Sequence, residues 1–163
     1  MGWRHARACK HALTNSMNSP TLEDAIALAR KAHAGQKDKA GADYIAHPLR
    51  VMSLVDGEDT KIVAVLHDTI EDTFVTSNYL REAGYAPHII AAIEGVTKLP
   101  GEEGSEEGYE RFIRRAGQNS LSKAVKLADL QDNMDLSRIT APTETDFKRL
   151  TKYQRAFDLL SSE

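Results

Sequence analysis

The sequence predicts an all-α fold, a helical bundle of about eight helices. Three observations carry that reading. Apolar residues recur at helical spacing in segment after segment, and no stretch alternates apolar and polar residues long enough to form a strand. The breaks between segments are short, as connections in a bundle are.

Taken in order, "SPTLEDAIALARKAH" opens the bundle. Thr21 or Ser19 can cap it, Glu23 and Asp24 sit in its first turn, and Leu22, Ala25, Ile26, Ala29 and Ala32 form one apolar face. "AGQKDKAGADYIA" reads as a loop, and "HPLRVMSLV" resumes as a short helix with Pro48 near its first turn. "DTKIVAVLHDTIEDT", "SNYLREAG", "PHIIAAIEGVTK" and "EGYERFIRRAG" then read as helices. The acidic, flexible "LPGEEGSEEG" joins the last two and reads as an exposed connection rather than a lid. Two longer helices, "SLSKAVKLADLQDNMDLSRI" and "TETDFKRLTKYQRAFDLL", close the chain, and no internal repeat is visible.

A length of 163 residues, 41% hydrophobic and 28% charged, suits one soluble globular domain. That domain is expected over residues 19–163. The basic, weakly patterned residues 1–18 are expected to be a poorly ordered or upstream-translated extension, with Met17 as an alternative start. The formal net charge of −3 leaves no basic excess for binding nucleic acid. Cys9 is the only cysteine, which excludes a disulfide framework and a cysteine-based zinc site. With no span-length apolar run and no signal-peptide pattern, the expectation is a cytoplasmic protein without membrane contact. Oligomeric state leaves no mark on the sequence.

Chemistry concentrates in "AVLHDTIEDT". On a continuous helix His67 lies over Glu71 and Asp68 over Asp72, beside the apolar Ile62, Val63, Val65, Leu66 and Ile70. On its own this pattern is also compatible with carboxylates solvated at a helix end. His47, placed by the rigid Pro48, would alone read as a cap or a core histidine. Asp129, however, sits among Val125, Leu127 and Leu130, with Lys126 and Asn133 about one turn away on either side. A carboxylate in such surroundings needs a cation or several donors. Two histidines and two aspartates from three helices can supply mixed N and O ligands to Mn²⁺, Fe²⁺ or Zn²⁺.

His47, the His67–Asp68 pair and Asp129 match the H…HD…D pattern of the HD superfamily of metal-dependent phosphohydrolases. More closely, "GQKDKAGADYIAHP", "AVLHDTIEDT", "EGVTKL" and "VKLADLQDNM" resemble the hydrolase domain of RelA/SpoT homologues, from about Ala32 to Asn133. Without room for a synthetase domain, the chain resembles a stand-alone small alarmone hydrolase. The resemblance implies that His47, His67, Asp68 and Asp129 hold one Mn²⁺. It also implies that Glu71 and Asp72 orient and deprotonate a water, and that pyrophosphate leaves the 3′ position of a nucleotide. Asn133 matches an asparagine beside the nucleotide sugar, and Tyr44 closes the nucleotide loop. Arg149 and Tyr153 resemble a family Arg/Tyr pair at the substrate. Lys37, Lys39, Lys98 and Lys126 are further candidate cations for the phosphates, each also readable as an ordinary surface lysine. His33 is expected to be structural, and His88 an ordinary helix-start residue.

The chain departs from the family's G-Q-x-R-x-x-G-x-P-Y loop at Asp38, where the arginine is expected, and at Asp43, where the proline is. That arginine packs on guanine in the family, a contact worth about 0.5–2 kcal/mol. Its loss leaves (p)ppApp open beside (p)ppGpp. Two further alternatives are a broader HD nucleotidase and a non-catalytic nucleotide-binding regulatory module.

Overall fold

The computed structural model describes residues 19–162, so the expected 1–18 extension, with Cys9 and Met17, lies outside the described residues. The helices are α1 (Leu22–Ala32), α2 (Ala46–Ser53), α3 (Glu58–Leu66), α4 (Thr69–Asp72), α5 (Ser77–Glu82), α6 (Pro87–Val96), α7 (Glu106–Gly117), α8 (Ser120–Met134) and α9 (Glu144–Ser162). Among the described residues there is no strand, only an isolated bridge between Lys37 and Asp43. The all-α architecture is as expected.

The cap of α1 forms as its sequence requires. The Thr21 hydroxyl accepts from the Asp24 amide, and the Asp24 carboxylate accepts from the Thr21 amide, a reciprocal box that satisfies two first-turn donors. Two elements differ from expectation. The helix read through "DTKIVAVLHDTIEDT" is broken after Leu66 and restarts as the single turn α4. Side chains cause the break. His67 Nδ1 donates to Ala64 O at 2.7 Å and Thr69 Oγ1 to Leu66 O at 2.6 Å. They take carbonyls at the end of α3 that the next backbone amides would otherwise need. The late helix, expected to run through "DLSRI", ends at Met134 and is followed by a 3-10 turn over Leu136–Arg138.

Two apolar cores lie on either side of α8. The larger gathers Ala25, Val51, Val63, Val65, Ile93, Val125 and Ala128, and the smaller gathers Phe112, Ile113, Leu130, Ala156 and Leu160. One helix contributing Ala128 to one core and Leu130 to the other leaves Asp129 at the seam. Close approach of α6 to α8 depends on Gly95, where a Cβ would lie 2.3 Å from Ser122 Oγ. No described helix is long and apolar enough to cross a membrane.

Candidate metal centre and active site

The broken helix and the seam bring the predicted residues together. His47 Nε2 lies 3.2 Å from Asp129 Oδ1 and 3.6 Å from Asp68 Oδ2. His67 Nε2 lies 3.0 Å from Asp68 Oδ2 and 3.7 Å from Asp129 Oδ1. One ligand atom each from His47, His67 and Asp129 fall within 4.8 Å of one another, and all three residues are buried.

The donor set fits a divalent ion. His67 Nδ1 is committed to Ala64 O, so its Nε2 faces the cluster, where it is buried without a hydrogen-bond partner. His47 Nδ1 bonds Asp132 Oδ2 at 2.7 Å, which likewise turns Nε2 inward. A carboxylate behind a histidine is the support that fixes tautomer and ring angle at metal sites. Burial lowers both imidazoles, but Asp129 and Asp132 around His47, and Asp68 and Asp129 around His67, outweigh it and hold both above the ordinary value of 6.5. An ion bound between these rings would compete with protons for the two Nε2 atoms.

Other side chains hold the ligand carboxylates in turn. Lys126 Nζ donates to Asp129 Oδ2 at 2.7 Å, Asn133 Nδ2 to Asp129 Oδ1 at 2.6 Å, and Tyr44 Oη to Asp68 Oδ2 at 2.5 Å. Tyr44, Lys126 and Asn133, read from sequence as substrate contacts, thus bond the candidate ligand carboxylates as well as lining the cavity. Burial and then Asp68 push the Tyr44 phenol well above its usual range, so it remains a donor.

Asp132 is a residue that the sequence reading missed. Arg50 Nε donates to Asp132 Oδ1 at 2.7 Å, and Arg138 Nη2 reaches Asp132 O at 2.7 Å. Burial raises the Asp132 carboxyl, but the bonds from His47 and Arg50 overcome it and hold the group well below the carboxylate range. Its position three residues after Asp129, with Arg50 three after His47, was the available signal.

Glu71 and Asp72 border the same cavity, of about 540 Å³. Glu71 Oε2 accepts from the Lys98 amide at 3.1 Å, and Glu71 Oε1 pairs with Lys98 Nζ. The Lys98 charge is therefore shared with Glu71. Asp72 is pushed above the ordinary carboxylate range, first by desolvation and then by the charges of Asp68 and Glu71.

At the rim, Lys37 pairs with Asp43 at 2.6 Å, and Lys39 is exposed. Asp38 Oδ1 accepts from the amides of Ala40 and Ala42, both at 2.9 Å, which closes the loop around Gly41 (φ 84°). Arg149 lies 3.6 Å from Asp146, and Tyr153 packs against the smaller core; both line the cavity. Lys152, which the sequence reading also missed, lines it too. Desolvation and the nearby Lys98 and Lys126 lower its pKa, the mark of converging positive charge. His33 is buried, with Nδ1 2.7 Å from Gln36 Oε1, and exposed His88 pairs with Asp59.

A family model described as an HD domain matches residues 25–128. The guanosine-3′,5′-bis(diphosphate) 3′-pyrophosphohydrolase of Aquifex aeolicus is 32% identical over 120 residues, 69% of this chain and 17% of that protein. The GTP pyrophosphokinase of Myxococcus xanthus is 32% identical over 126 residues, 69% of this chain and 16% of that protein. The chain thus spans about a sixth of the length of these relatives. A solved structure described as a metazoan ortholog of SpoT that hydrolyzes ppGpp shares the fold. Its TM-score is 0.73 over 88% of this chain and 86% of that one, at 23% identity. With His47, His67 and Asp68 inside the matched residues and Asp129 immediately after them, the chain belongs to the HD-domain family.

Proposed function

We propose that this chain is a divalent-metal-dependent 3′-pyrophosphohydrolase of alarmone nucleotides, using Mn²⁺ and acting on (p)ppGpp or (p)ppApp. The observation that carries the reading is the convergence of His47 Nε2, His67 Nε2 and Asp129 Oδ1 beside a cavity that His47 and Asp129 line together with Lys98, Lys126 and Lys152. A polyanionic substrate would offset the repulsion among those lysines. The relative named for hydrolysis of guanosine 3′,5′-bis(diphosphate) supports the same substrate class.

His47, His67, Asp68 and Asp129 would hold the ion. When bound, a divalent ion lowers the pKa of water toward neutrality and polarises a phosphoryl oxygen. Asp132 keeps the His47 lone pair on the cavity side, and Tyr44 keeps Asp68 oriented. Glu71, fixed by two bonds from Lys98, aligns the attacking water. Asp72, with its raised pKa, is suited to accept the proton that the water loses. As the water oxygen bonds to the 3′-linked phosphorus, the bond from that phosphorus to ribose O3′ breaks; O3′ takes up the proton passed on from Asp72, leaving the 3′-hydroxyl and free pyrophosphate. Lys152 and Arg149 balance the phosphate charge.

The test is a product assay with the full chain and Mn²⁺, offering ppGpp, ppApp, their pentaphosphate forms and ordinary mononucleotides. Pyrophosphate released only from the 3′-diphosphorylated nucleotides is the expected result, and the preferred base is read from the same assay. Orthophosphate from mononucleotides would establish the broader nucleotidase instead. Metal and nucleotide binding without any release would establish the regulatory module.

A further inference from the structure

The connection between α6 and α7, residues 97–105, carries an anchored pair outside the metal cluster. Glu102 is only 7% exposed although it lies in an acidic loop. Arg115, on the last turn of α7, meets it with two bonds: Nε to Oε1 at 3.0 Å and Nη2 to Oε2 at 2.7 Å. The same guanidinium donates to Glu94 O and Gly95 O at the end of α6, and to Thr97 O at 2.7 Å. Glu102 Oε2 also accepts from the Leu99 amide at 2.7 Å. The pair therefore grips the backbone at Thr97 and at Leu99. The residue between them is Lys98, whose amide and ammonium both bind Glu71.

We infer that Arg115 and Glu102 are positioning residues for Glu71, acting through the backbone of Lys98. The inference rests on the proposed function only in giving Glu71 a role on the water. A planar fork with five donors can reach a carboxylate and several carbonyls together, which a lysine ammonium cannot do. With both neighbours of Lys98 held, its amide points at Glu71 without relying on the exposed parts of the loop. The segment is thus a brace for Glu71 and is not poised to close over substrate.

The test combines two readouts on Arg115→Lys and Glu102→Gln. In ¹⁵N-labelled full-length protein without substrate, both variants are expected to move the Lys98 amide resonance and speed its hydrogen exchange. Glu71→Gln should move the same resonance. In the assay, both variants should lower kcat by about 10- to 100-fold, as for small misplacement of a reacting group. KM and Mn²⁺ content should stay near wild type, and neither variant should lower kcat further when added to Glu71→Gln. An unchanged Lys98 amide in a folded variant, or losses that multiply with that of Glu71→Gln, would overturn the inference. Should Arg115→Lys fail to fold, Glu102→Gln alone decides it. If wild type hydrolyses none of the nucleotides while the Lys98 amide responds as expected, the proposed function fails and the brace stands.

Discussion

The cavity has a floor and a rim, and the two are built in opposite ways. On the floor, His47, Asp129 and Asp132 are buried, with His67 buried beside them, and both Lys126 and Asn133 hold Asp129. On the rim, Lys37 and Asp43 pair with side chains 58% and 70% exposed, and Lys39 is open to solvent. Burying charge is costly unless every group is paired, so the floor has little freedom to vary. Exposed pairs are worth about 0–1 kcal/mol, so the rim can change sequence, as Asp38 and Asp43 do, without disturbing the fold. Under the proposed function, residues that hold the ion and residues that select the base would therefore be separable by mutation.

The largest expected effect removes a candidate metal ligand. Asp68→Ala should abolish Mn²⁺ binding, read by metal analysis of purified protein, and with it all turnover; retained stoichiometric metal would remove Asp68 from the ligand set. Next, Glu71→Gln should keep the metal yet lose about 10²-fold or more in kcat, because the attacking water loses its alignment. An unchanged rate would deny Glu71 its role. Asp132→Asn keeps the shape behind His47 but weakens its acceptor, and metal affinity measured by calorimetry should fall about 10- to 100-fold. The smallest effect belongs to the rim. Lys39→Ala should raise KM only a few-fold and leave the unfolding free energy, measured by denaturant titration, within about 0.5 kcal/mol of wild type. A loss as large as that of Asp132→Asn would break the contrast between floor and rim.

Within the floor, acid and base should act on different groups in opposite senses. Both imidazoles are held above the ordinary 6.5, so metal affinity should climb as pH rises through that raised range, with protons released on binding. Proton release measured in buffers of different ionisation enthalpy checks this. For Asp132 the sign is opposite. Its folded pKa is depressed, so its contribution to stability is complete above the ordinary carboxylate range and is lost as pH falls through the folded value. Asp132→Asn should flatten the acid limb of stability against pH.

Much of this was legible in the residues. The α1 cap, the apolar faces, and the four candidate ligands could be found because charges inside apolar surroundings are conspicuous. Asp132 was harder, since a carboxylate near the end of a helix looks the same whether it is solvated or supports a histidine. The break after Leu66 was hidden too, because it depends on which carbonyls the His67 and Thr69 side chains reach. Glu102 looked like one more acid in an exposed loop, and only its contact with Arg115, 13 residues on, shows that it is buried.

By itself the sequence determined an all-helical chain, its apolar faces and the group of residues able to hold a divalent ion, because helical period and chemical type are local properties. Tertiary structure decided what those residues do for one another. It put Asp129 at the seam of two cores, turned both histidine Nε2 atoms inward, and tied Glu71 to Lys98. Hydrogen bonds between distant segments depend on packing in three dimensions, and the spacing of residues along one chain does not specify it.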